Sequence, residues 1–181
     1  MHDHGKIAVF CSASNIIDPA YNKVARDFVR AASLRGYTIV SGGTVRGTMG
    51  EIDEELSECG GRHVGIVPRF MKDIAARHLS EIRWTDTMAE RQALMRQGTV
   101  AAVALPGGIG TLDELVETLT QKKLGFYDGR IFALDWNGFY RPLEALLDHY
   151  VHTGMLEQKH RDMISFCSTP EEILDITEKI R

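Results

Sequence analysis

A strand, a glycine-rich turn and a helix follow one another in the middle of the chain, and this unit most constrains the fold. The run Val100–Leu105 is apolar at every position, which is typical of a strand covered on both faces. The turn Pro106–Thr111 follows it directly and contains Gly107, Gly108 and Gly110. Apolar residues then recur at helical spacing, namely Leu112, Leu115, Val116 and Leu119. A buried strand that leads through glycines into a helix is a building block of a parallel sheet.

The same alternation of strand and helix recurs along most of the chain. The predicted strands are Ile7–Cys11, Tyr37–Val40, His63–Val67, Ile82–Trp84, Val100–Leu105, Arg130–Leu134 and Ile164–Cys167. Besides the helix after the glycine-rich turn, the predicted helices run from Pro19 to before Gly36, from about Gly50 to Cys59, from about Ala89 to Gln97, from about Arg141 to Thr153, and from about Pro170. We therefore predict an α/β fold, a Rossmann-like doubly wound parallel sheet with helices on both faces. A single domain is expected over residues 6–181, after a loose N-terminus at residues 1–5.

Charge and composition exclude several classes of function. The chain has 181 residues with 21 basic and 25 acidic side chains, a formal net charge of -4, so nothing predicts binding to nucleic acid or to a membrane surface. No apolar run is long enough to cross a bilayer, and the polar N-terminus does not resemble a secretory signal, so we expect a cytoplasmic protein. Cys11, Cys59 and Cys167 lack the spacing of a disulfide framework or a zinc site. A small molecule is therefore the expected ligand.

Three turns at the carboxyl ends of predicted strands are the candidate ligand site. They are Ser12–Ser14, Ser41–Gly50 and Pro106–Thr111. Glycine lets the backbone approach a ligand closely, and the free amides and dipole of a following helix attract an anion such as phosphate. The turns lack the endings typical of triphosphate and dinucleotide sites, which favours a monophosphate. The alternative is that the glycines only permit tight connections between strand and helix.

Glu114 is the side chain that most favours catalysis at the third turn. It lies three residues after Thr111, in the predicted first helical turn, where the helix dipole is expected to keep its carboxylate ionised. Thr111 followed by Glu114 also fits a capping box, so a purely structural role remains open. Asp113 is expected to be an ordinary acid of the first turn. Cys11 is expected to be a small buried strand residue without a chemical role.

The segment Pro106–Glu114 fits the pattern P-G-G-x-G-T-x-x-E and so resembles the LOG-type phosphoribohydrolases, a family long misnamed lysine decarboxylases. Further matching segments follow in the family's order, namely Val9-Phe10-Cys11 with Ser14, Gly42-Gly43 with Gly47-x-Met49-Gly50, Met88–Arg91, and Asn137–Leu143. The resemblance extends from about Lys6 to the terminal helix.

The resemblance implies a homodimer that releases a free base and ribose 5-phosphate from a nucleoside 5′-monophosphate. The implied substrate is AMP or a cytokinin riboside monophosphate, and the reaction needs neither a metal nor an organic cofactor. Arg91 and Glu114 would be the catalytic pair. The implied substrate and phosphate contacts are Gly107, Gly108, Gly110, Thr111, Ser14, Gly43, Gln92, Asp73 and Thr120. The chain departs from the family pattern at three positions that bear on the choice of substrate, namely Ser12, Thr44 and Gln92, where the family usually has Gly, Gly and Lys.

Breaking a ribosyl C–N bond creates positive charge on the sugar and negative charge on the leaving base, so the site needs an anion near the ribose. A Glu114 carboxylate can stabilise the cationic sugar, bind ribose hydroxyls or orient the attacking water. Arg91 stays protonated and is expected to position the substrate or Glu114 through a forked hydrogen bond. The alternative function is a non-catalytic carrier of a nucleotide or of molybdenum cofactor, as in similar Rossmann-like relatives. The presence of both Arg91 and Glu114 counts against the carrier.

Overall fold

The structure, a computed structural model that describes residues 4–179, contains one seven-stranded sheet. Its strands are β1 (Lys6–Phe10), β2 (Thr38–Ser41), β3 (His63–Pro68), β4 (Glu81–Thr85), β5 (Thr99–Ala104), β6 (Arg130–Leu134) and β7 (Ile164–Cys167). Every pairing is parallel, and the order is β4-β3-β2-β1-β5-β6-β7. The winding reverses between β1 and β5, so a crevice is expected beyond the carboxyl ends of these strands. The predicted fold class is confirmed.

Helices cover both faces of this sheet. They are α1 (Pro19–Leu34), α2 (Gly47–Cys59), α3 (Met88–Arg96), α4 (Ile109–Lys123), α5 (Arg141–His152), α6 (Gln158–Arg161) and α7 (Pro170–Glu178). Ile7 and Val9 of β1 pack in one core with α1, α2 and α7, whereas Ala8 and Phe10 pack in a second core with α3, α4 and α5. This alternation follows from the period of two in a strand, and it explains why the strand is apolar at successive positions.

Helix α2 begins at Gly47, earlier than the predicted start near Gly50. Gly47 has a φ of +52° and lies so close to the first turn that a Cβ there would be 2.6 Å from the Ser14 carbonyl oxygen. The Gly47 amide donates to Asn15 Oδ1 at 2.8 Å. Glycine is therefore required at this helix start. The segment Ser41–Gly50 was expected to be a turn, but its residues from Gly47 onward form the first turn of α2.

Several short elements were not predicted. They are α6 and two 3₁₀ segments, Arg69–Ile74 and Trp136–Gly138. Elements of three to six residues are too short to show a helical period, so the sequence gives no signal for them. Within residues 4–179, no helix has both the length and the apolar character needed to cross a membrane.

His4 and Gly5, which belong to the N-terminal segment expected to be loose, form backbone hydrogen bonds with residues at or just before the start of β2. The His4 amide donates to the Gly36 carbonyl at 3.1 Å, and the Gly5 carbonyl accepts from the Thr38 amide at 3.0 Å. The rest of the predicted loose segment, residues 1–3, lies outside the described residues.

Candidate active site

A pocket of about 450 Å³ opens at the carboxyl ends of β1, β2 and β5. The three turns singled out in the sequence meet there, and α3 supplies a further wall. Its polar lining includes Ser12, Ser14, Arg91, Gln92, Thr111, Asp113 and Glu114. The pocket lies at the reversal of strand order, where doubly wound sheets bind their ligands.

Glu114 belongs to the second turn of α4, which corrects the predicted position in the first turn. The helix begins at Ile109 with Gly108 as its N-cap, and no side chain caps it. Thr111 is therefore inside the helix, so the capping-box alternative for Thr111 and Glu114 is wrong. Because a helix dipole acts mainly on the first turn, it has less influence on Glu114 than the sequence argument assumed.

Arg91 on α3 and Glu114 on α4 form an ion pair in the pocket wall. Arg91 Nη1 donates to Glu114 Oε1 at 3.1 Å, and Arg91 Nε donates to the Ile66 carbonyl at 3.1 Å. The side chains are only 8% and 11% exposed. The expected forked hydrogen bond is not formed, because Nε is engaged by β3 and Nη1 alone contacts the carboxylate. Arg91 is thus anchored to the sheet and holds one oxygen of Glu114.

Burial raises the pKa of Glu114 to about 7, although the positive charge of Arg91 opposes the shift. Asp113 and Glu117 add a smaller upward effect through like-charge repulsion. The carboxyl is therefore close to half ionised near neutral pH, which replaces the expectation that the helix dipole keeps it fully ionised. A titratable group tuned to neutral pH in a pocket is typical of catalytic acids and bases.

The turn after β2 approaches Arg91 without an intervening side chain. A Cβ at Gly42 would overlap the Arg91 guanidinium, so a residue larger than glycine would displace the arginine. The neighbouring Gly43 has a φ of +62°, and a Cβ there would be 2.7 Å from Gly65 Cα on β3. Glycine is therefore needed at these two positions for different reasons. Gly42 leaves space for the Arg91 guanidinium, whereas Gly43 adopts the positive φ and the close approach to β3 that the turn requires.

The turn after β5 is open on its ligand side. A Cβ at Gly108 or at Gly110 would meet nothing within 4 Å, so the packing of the protein does not require glycine at either position. At Gly107, by contrast, a Cβ would overlap the Thr111 side chain. Thr111 Oγ1 is buried and has no hydrogen-bond partner among residues 4–179. A buried hydroxyl beside open amides is expected where a ligand supplies the missing partner.

The structure places some predicted contact residues on the pocket and others away from it. Gln92 lines the pocket and donates to Asp113 Oδ2 at 2.6 Å, so Asp113 is paired across the helices rather than serving as a first-turn acid. Ser14, Gly108, Gly110 and Thr111 also line it. Four predicted contacts do not, namely Gly43, Gly107, Asp73 and Thr120. A direct contact between substrate and any of these four stays a prediction.

The two most distant of these residues have other surroundings. Asp73 is exposed in the 3₁₀ segment Arg69–Ile74, whose pocket-lining residues are Met71 and Ile74. Thr120 is exposed on α4, and its hydroxyl donates to the Val116 carbonyl at 2.9 Å.

The apolar part of the pocket was not predicted. It contains four methionines and two isoleucines, namely Met49, Met71, Met88, Met95, Ile74 and Ile109. Methionine is unbranched and polarisable, so such a wall adapts to flat or irregular apolar groups. Cys11 also lines the pocket, where burial raises its thiol pKa well above the ordinary range, in keeping with the expectation that it has no chemical role.

Solved structures share this architecture. The molybdenum cofactor binding protein from Rippkaea orientalis is similar with a TM-score of 0.71 and 19% identity, over 97% of this chain and 96% of that one. The molybdenum cofactor carrier protein from Chlamydomonas reinhardtii gives a TM-score of 0.72 and 16% identity, over 96% of both chains. At these identities the likeness shows the fold alone.

Sequence relatives are closer. A cytokinin riboside 5′-monophosphate phosphoribohydrolase of Arabidopsis thaliana is 33% identical over 178 residues, which cover 97% of this chain and 82% of the relative. A probable enzyme of the same name from Oryza sativa subsp. japonica is 31% identical over 96% of this chain and 72% of the relative. The family model described as possible lysine decarboxylase matches residues 49–177. With the paired Arg91 and Glu114 and the glycine-rich turn in place, this chain belongs to the LOG family of phosphoribohydrolases.

Proposed function

We propose that this protein hydrolyses the N-glycosidic bond of a nucleoside 5′-monophosphate, either AMP or a cytokinin riboside monophosphate, to give the free base and ribose 5-phosphate. The observation that carries the proposal is the Arg91–Glu114 pair, which lies in the same pocket as the open glycine turn. An anion site and a tuned carboxyl in one pocket suit a phosphorylated substrate whose reaction passes through a cationic sugar.

The phosphate is assigned to the first turn of α4. Gly108 and Gly110 leave space for close approach to the backbone, and the amides of a helix N-terminus that lack intrahelical partners point toward that space. The buried Thr111 hydroxyl is a further donor without a partner among the described residues. A neutral nucleoside presents no anion to these donors, so the 5′-phosphate should be required.

Hydrolysis at this site breaks the bond between the ribose C1′ and the base nitrogen, whose electron pair leaves with the base. Water adds to C1′ and loses one proton as the new C–O bond forms, and the leaving base nitrogen gains one proton, so the products are the free base and ribose 5-phosphate. Ionised Glu114 is placed to stabilise the positive charge on the ribose or to accept the proton from the water. Arg91 holds the carboxylate in position through Nη1. No step needs a metal or an organic cofactor.

The methionine-rich wall is assigned to the base. Its side chains form an apolar, adaptable surface beside the catalytic pair. This surface suits adenine and leaves room for an apolar substituent on the base. We therefore propose that the protein accepts both AMP and a riboside monophosphate with a substituted adenine, as named for the relatives.

A homodimer is the proposed assembly. Apolar side chains are exposed on α4 and in the loop after it, with Leu124 58% exposed and Phe126 78% exposed. The small residues Ala89 and Ala93 are also exposed on α3, whereas Met95 is buried and lines the pocket. A contiguous apolar patch favours contact with a partner, and Leu124 and Phe126 lie two residues apart in the same loop. A monomeric mass in light scattering at micromolar concentration, with full activity, would contradict the dimer.

The proposal is tested by incubating the protein with AMP, isopentenyladenosine monophosphate and adenosine, and by measuring free base by chromatography. Both monophosphates should release base, and adenosine should be cleaved with kcat/KM lower by roughly a hundredfold or more. Equal cleavage of adenosine and AMP would refute the phosphate assignment. Binding of the monophosphates without release of base would favour the carrier alternative instead.

A further inference from the structure

A buried chain of three side chains connects β2, β3 and α2 beneath the pocket. Ser41 Oγ lies 2.7 Å from His63 Nε2, and His63 Nδ1 lies 2.9 Å from Asp53 Oδ1. Ser41 and His63 are fully buried, and Asp53 is nearly so. None of the three residues lines the pocket. The substrate therefore does not reach this serine, and the arrangement is not a hydrolytic triad despite its order of Ser, His and Asp.

The direction of each hydrogen bond follows from the partners. Burial alone would raise the pKa of Asp53, but hydrogen bonds from His63 and from two backbone amides lower it, so Asp53 is an ionised acceptor. In the His63 tautomer whose Nδ1–H donates to Asp53, Nε2 accepts from the Ser41 hydroxyl. Ser41 Oγ in turn accepts from the Gly43 amide at 3.1 Å. The chain is thus satisfied at every link, which is the condition under which a buried polar network fixes one geometry.

One end of the chain holds the turn that faces Arg91. The Ser41 hydroxyl fixes the Gly43 amide, and Gly43 follows Gly42, whose Cα lies directly against the Arg91 guanidinium. A shift of this turn would therefore change the space available to Arg91. Since Arg91 Nη1 holds Glu114, the shift would reach the catalytic carboxyl.

The other end of the chain holds the segment that supplies two residues of the methionine-rich wall, Met71 and Ile74. Asp53 Oδ2 accepts from the amides of Arg77 and His78, both at 3.0 Å. The same stretch of chain is tied to the β2 turn, because the Ala76 amide donates to the Gly43 carbonyl at 2.8 Å and the Val45 amide donates to the Ile74 carbonyl at 2.9 Å. The wall residues Met71 and Ile74 lie just before this anchor.

From these contacts we propose that three positioning residues, Asp53, His63 and Ser41, fix the turn beside Arg91 and the segment Arg69–Ile74 relative to each other. The Asp53 carboxylate anchors the wall segment, and the same carboxylate reaches Gly43 in the turn beside Arg91 through three successive hydrogen bonds. The catalytic consequence rests on the proposed function, whereas the geometric consequence does not. Loss of any link should loosen Arg91 without removing a group that touches substrate.

The test compares Ser41→Ala with Thr99→Val. Thr99 is the matched control because its hydroxyl is also buried in the sheet with two partners, the Arg96 carbonyl at 2.8 Å and Tyr127 Oη at 3.0 Å, but at the amino end of β5. Ser41→Ala should lower kcat for AMP about tenfold per folded molecule, with KM changed less, because small errors of position at a catalytic group are costly. Thr99→Val should lower the melting temperature and leave kcat unchanged.

A second measurement does not depend on activity. In nitrogen NMR spectra, Ser41→Ala should shift the Arg91 Nε resonance and speed hydrogen exchange at the Gly43 and His78 amides, while Thr99→Val should change none of these. Wild-type kcat together with an unmoved Arg91 signal in Ser41→Ala would overturn the proposal. If the wild type releases no base, the proposed function fails, and the NMR readouts still decide the positioning role. Should Ser41→Ala not fold, Asp53→Asn, which keeps the side-chain volume, is judged by the same criteria.

Discussion

Two ion pairs join the same helices, α3 and α4, and they differ in the number of hydrogen bonds between arginine and carboxylate. Arg96 forms two hydrogen bonds with Glu117, from Nη1 at 2.6 Å and from Nη2 at 3.0 Å. Arg91 contacts Glu114 through one nitrogen at 3.1 Å, although the Glu114 side chain is more buried, 11% exposed against 29% for Glu117. The more buried carboxylate therefore has the weaker pairing.

This difference fits the proposal that the Arg96–Glu117 pair is structural and the Arg91–Glu114 pair is functional. A carboxylate held by a bidentate arginine is near its optimum geometry, and a ligand has little to add. A buried carboxylate held by one contact is poorly compensated, and its raised pKa records that deficit. A cationic ribose would supply the missing positive charge, so the incomplete pairing of Glu114 favours the transition state over the free enzyme.

The largest expected effect on activity comes from removing the charge of Glu114, compared with the same substitution at Glu117. Glu114→Gln keeps the side-chain size but cannot carry the negative charge, so kcat should fall by roughly a hundredfold or more while nucleotide affinity changes far less. Base release from AMP and binding by calorimetry measure the two quantities. A Glu114→Gln protein that cleaves AMP within a fewfold of wild type would sink the catalytic assignment.

Glu117→Gln is the matched control for that substitution. It leaves Arg96 with a weaker partner and should lower the free energy of unfolding by about 1–3 kcal/mol. Its activity per folded molecule should stay within about twofold of wild type. A large loss of turnover in this variant would mean that the two pairs act as one unit, which would break the contrast between them.

A smaller effect is expected from replacing each arginine by lysine. Arg91→Lys cannot bind the Ile66 carbonyl and Glu114 with two separate nitrogens, so we expect kcat to fall roughly tenfold or more. Arg96→Lys loses its bidentate contact and should lower stability while kcat is retained. Steady-state kinetics and thermal melting of both variants check this. Retained activity in Arg91→Lys would show that positive charge alone is needed at that position.

The pH dependence of turnover should reflect the raised pKa of Glu114. Because the proposed mechanism uses the ionised form to stabilise the ribose cation, kcat/KM should rise with pH and level off above an apparent pKa of about 7. Between about pH 8 and pH 6 the rate should fall about tenfold. A profile that instead falls with rising pH through this range would assign Glu114 the role of a proton donor.

Stability should depend on pH in the opposite sense. The folded pKa of Glu114, about 7, lies above the ordinary value of 4.5, so the folded state binds more protons between these values. Its contribution to stability is full below about pH 4.5 and is lost as pH rises through about 7. Glu114→Gln should therefore gain stability relative to wild type as the pH rises over this window, which denaturant unfolding at several pH values can measure. Constant relative stability would show that Glu114 has an ordinary pKa.

The smallest effect concerns the influence of one pair on the other. Glu117 contributes a minor upward shift to the pKa of Glu114. Its neutralisation in Glu117→Gln should therefore move the midpoint of the pH–rate profile down by about a few tenths of a pH unit. An upward shift would contradict the assigned direction of this coupling.

Continuous apolar runs carried most of the fold prediction. Val100–Leu105 and Ile7–Cys11 were placed correctly within a residue or two because strands buried on both faces have a clear composition. The start of α2 was placed too late, since Gly47 was taken as part of a turn although its close approach to the first turn requires glycine there. That approach is a tertiary contact, and a local pattern does not contain it.

The candidate site was predictable where the motif is local. Glu114 was singled out by its position after the glycine-rich turn and Arg91 by the family pattern, and the structure brings them together in one pocket. Ser41, His63 and Asp53 were missed because they are far apart in sequence and meet only after the sheet forms. Their one signal was a histidine at the start of an apolar strand, which has many structural explanations. The Arg69–Ile74 wall was missed because a single 3₁₀ segment has no period.

The methionine wall also gives the pocket a chemical weakness. Met88 is 40% exposed at the pocket rim, and Met71 is half-buried beside it. A peroxide that converts either thioether to a sulfoxide would place a strong dipole on the apolar surface that we propose receives the base. Oxidation in air would then weaken the proposed binding of the base before it affected the Arg91–Glu114 pair. Reduction of the methionine sulfoxide would restore that binding.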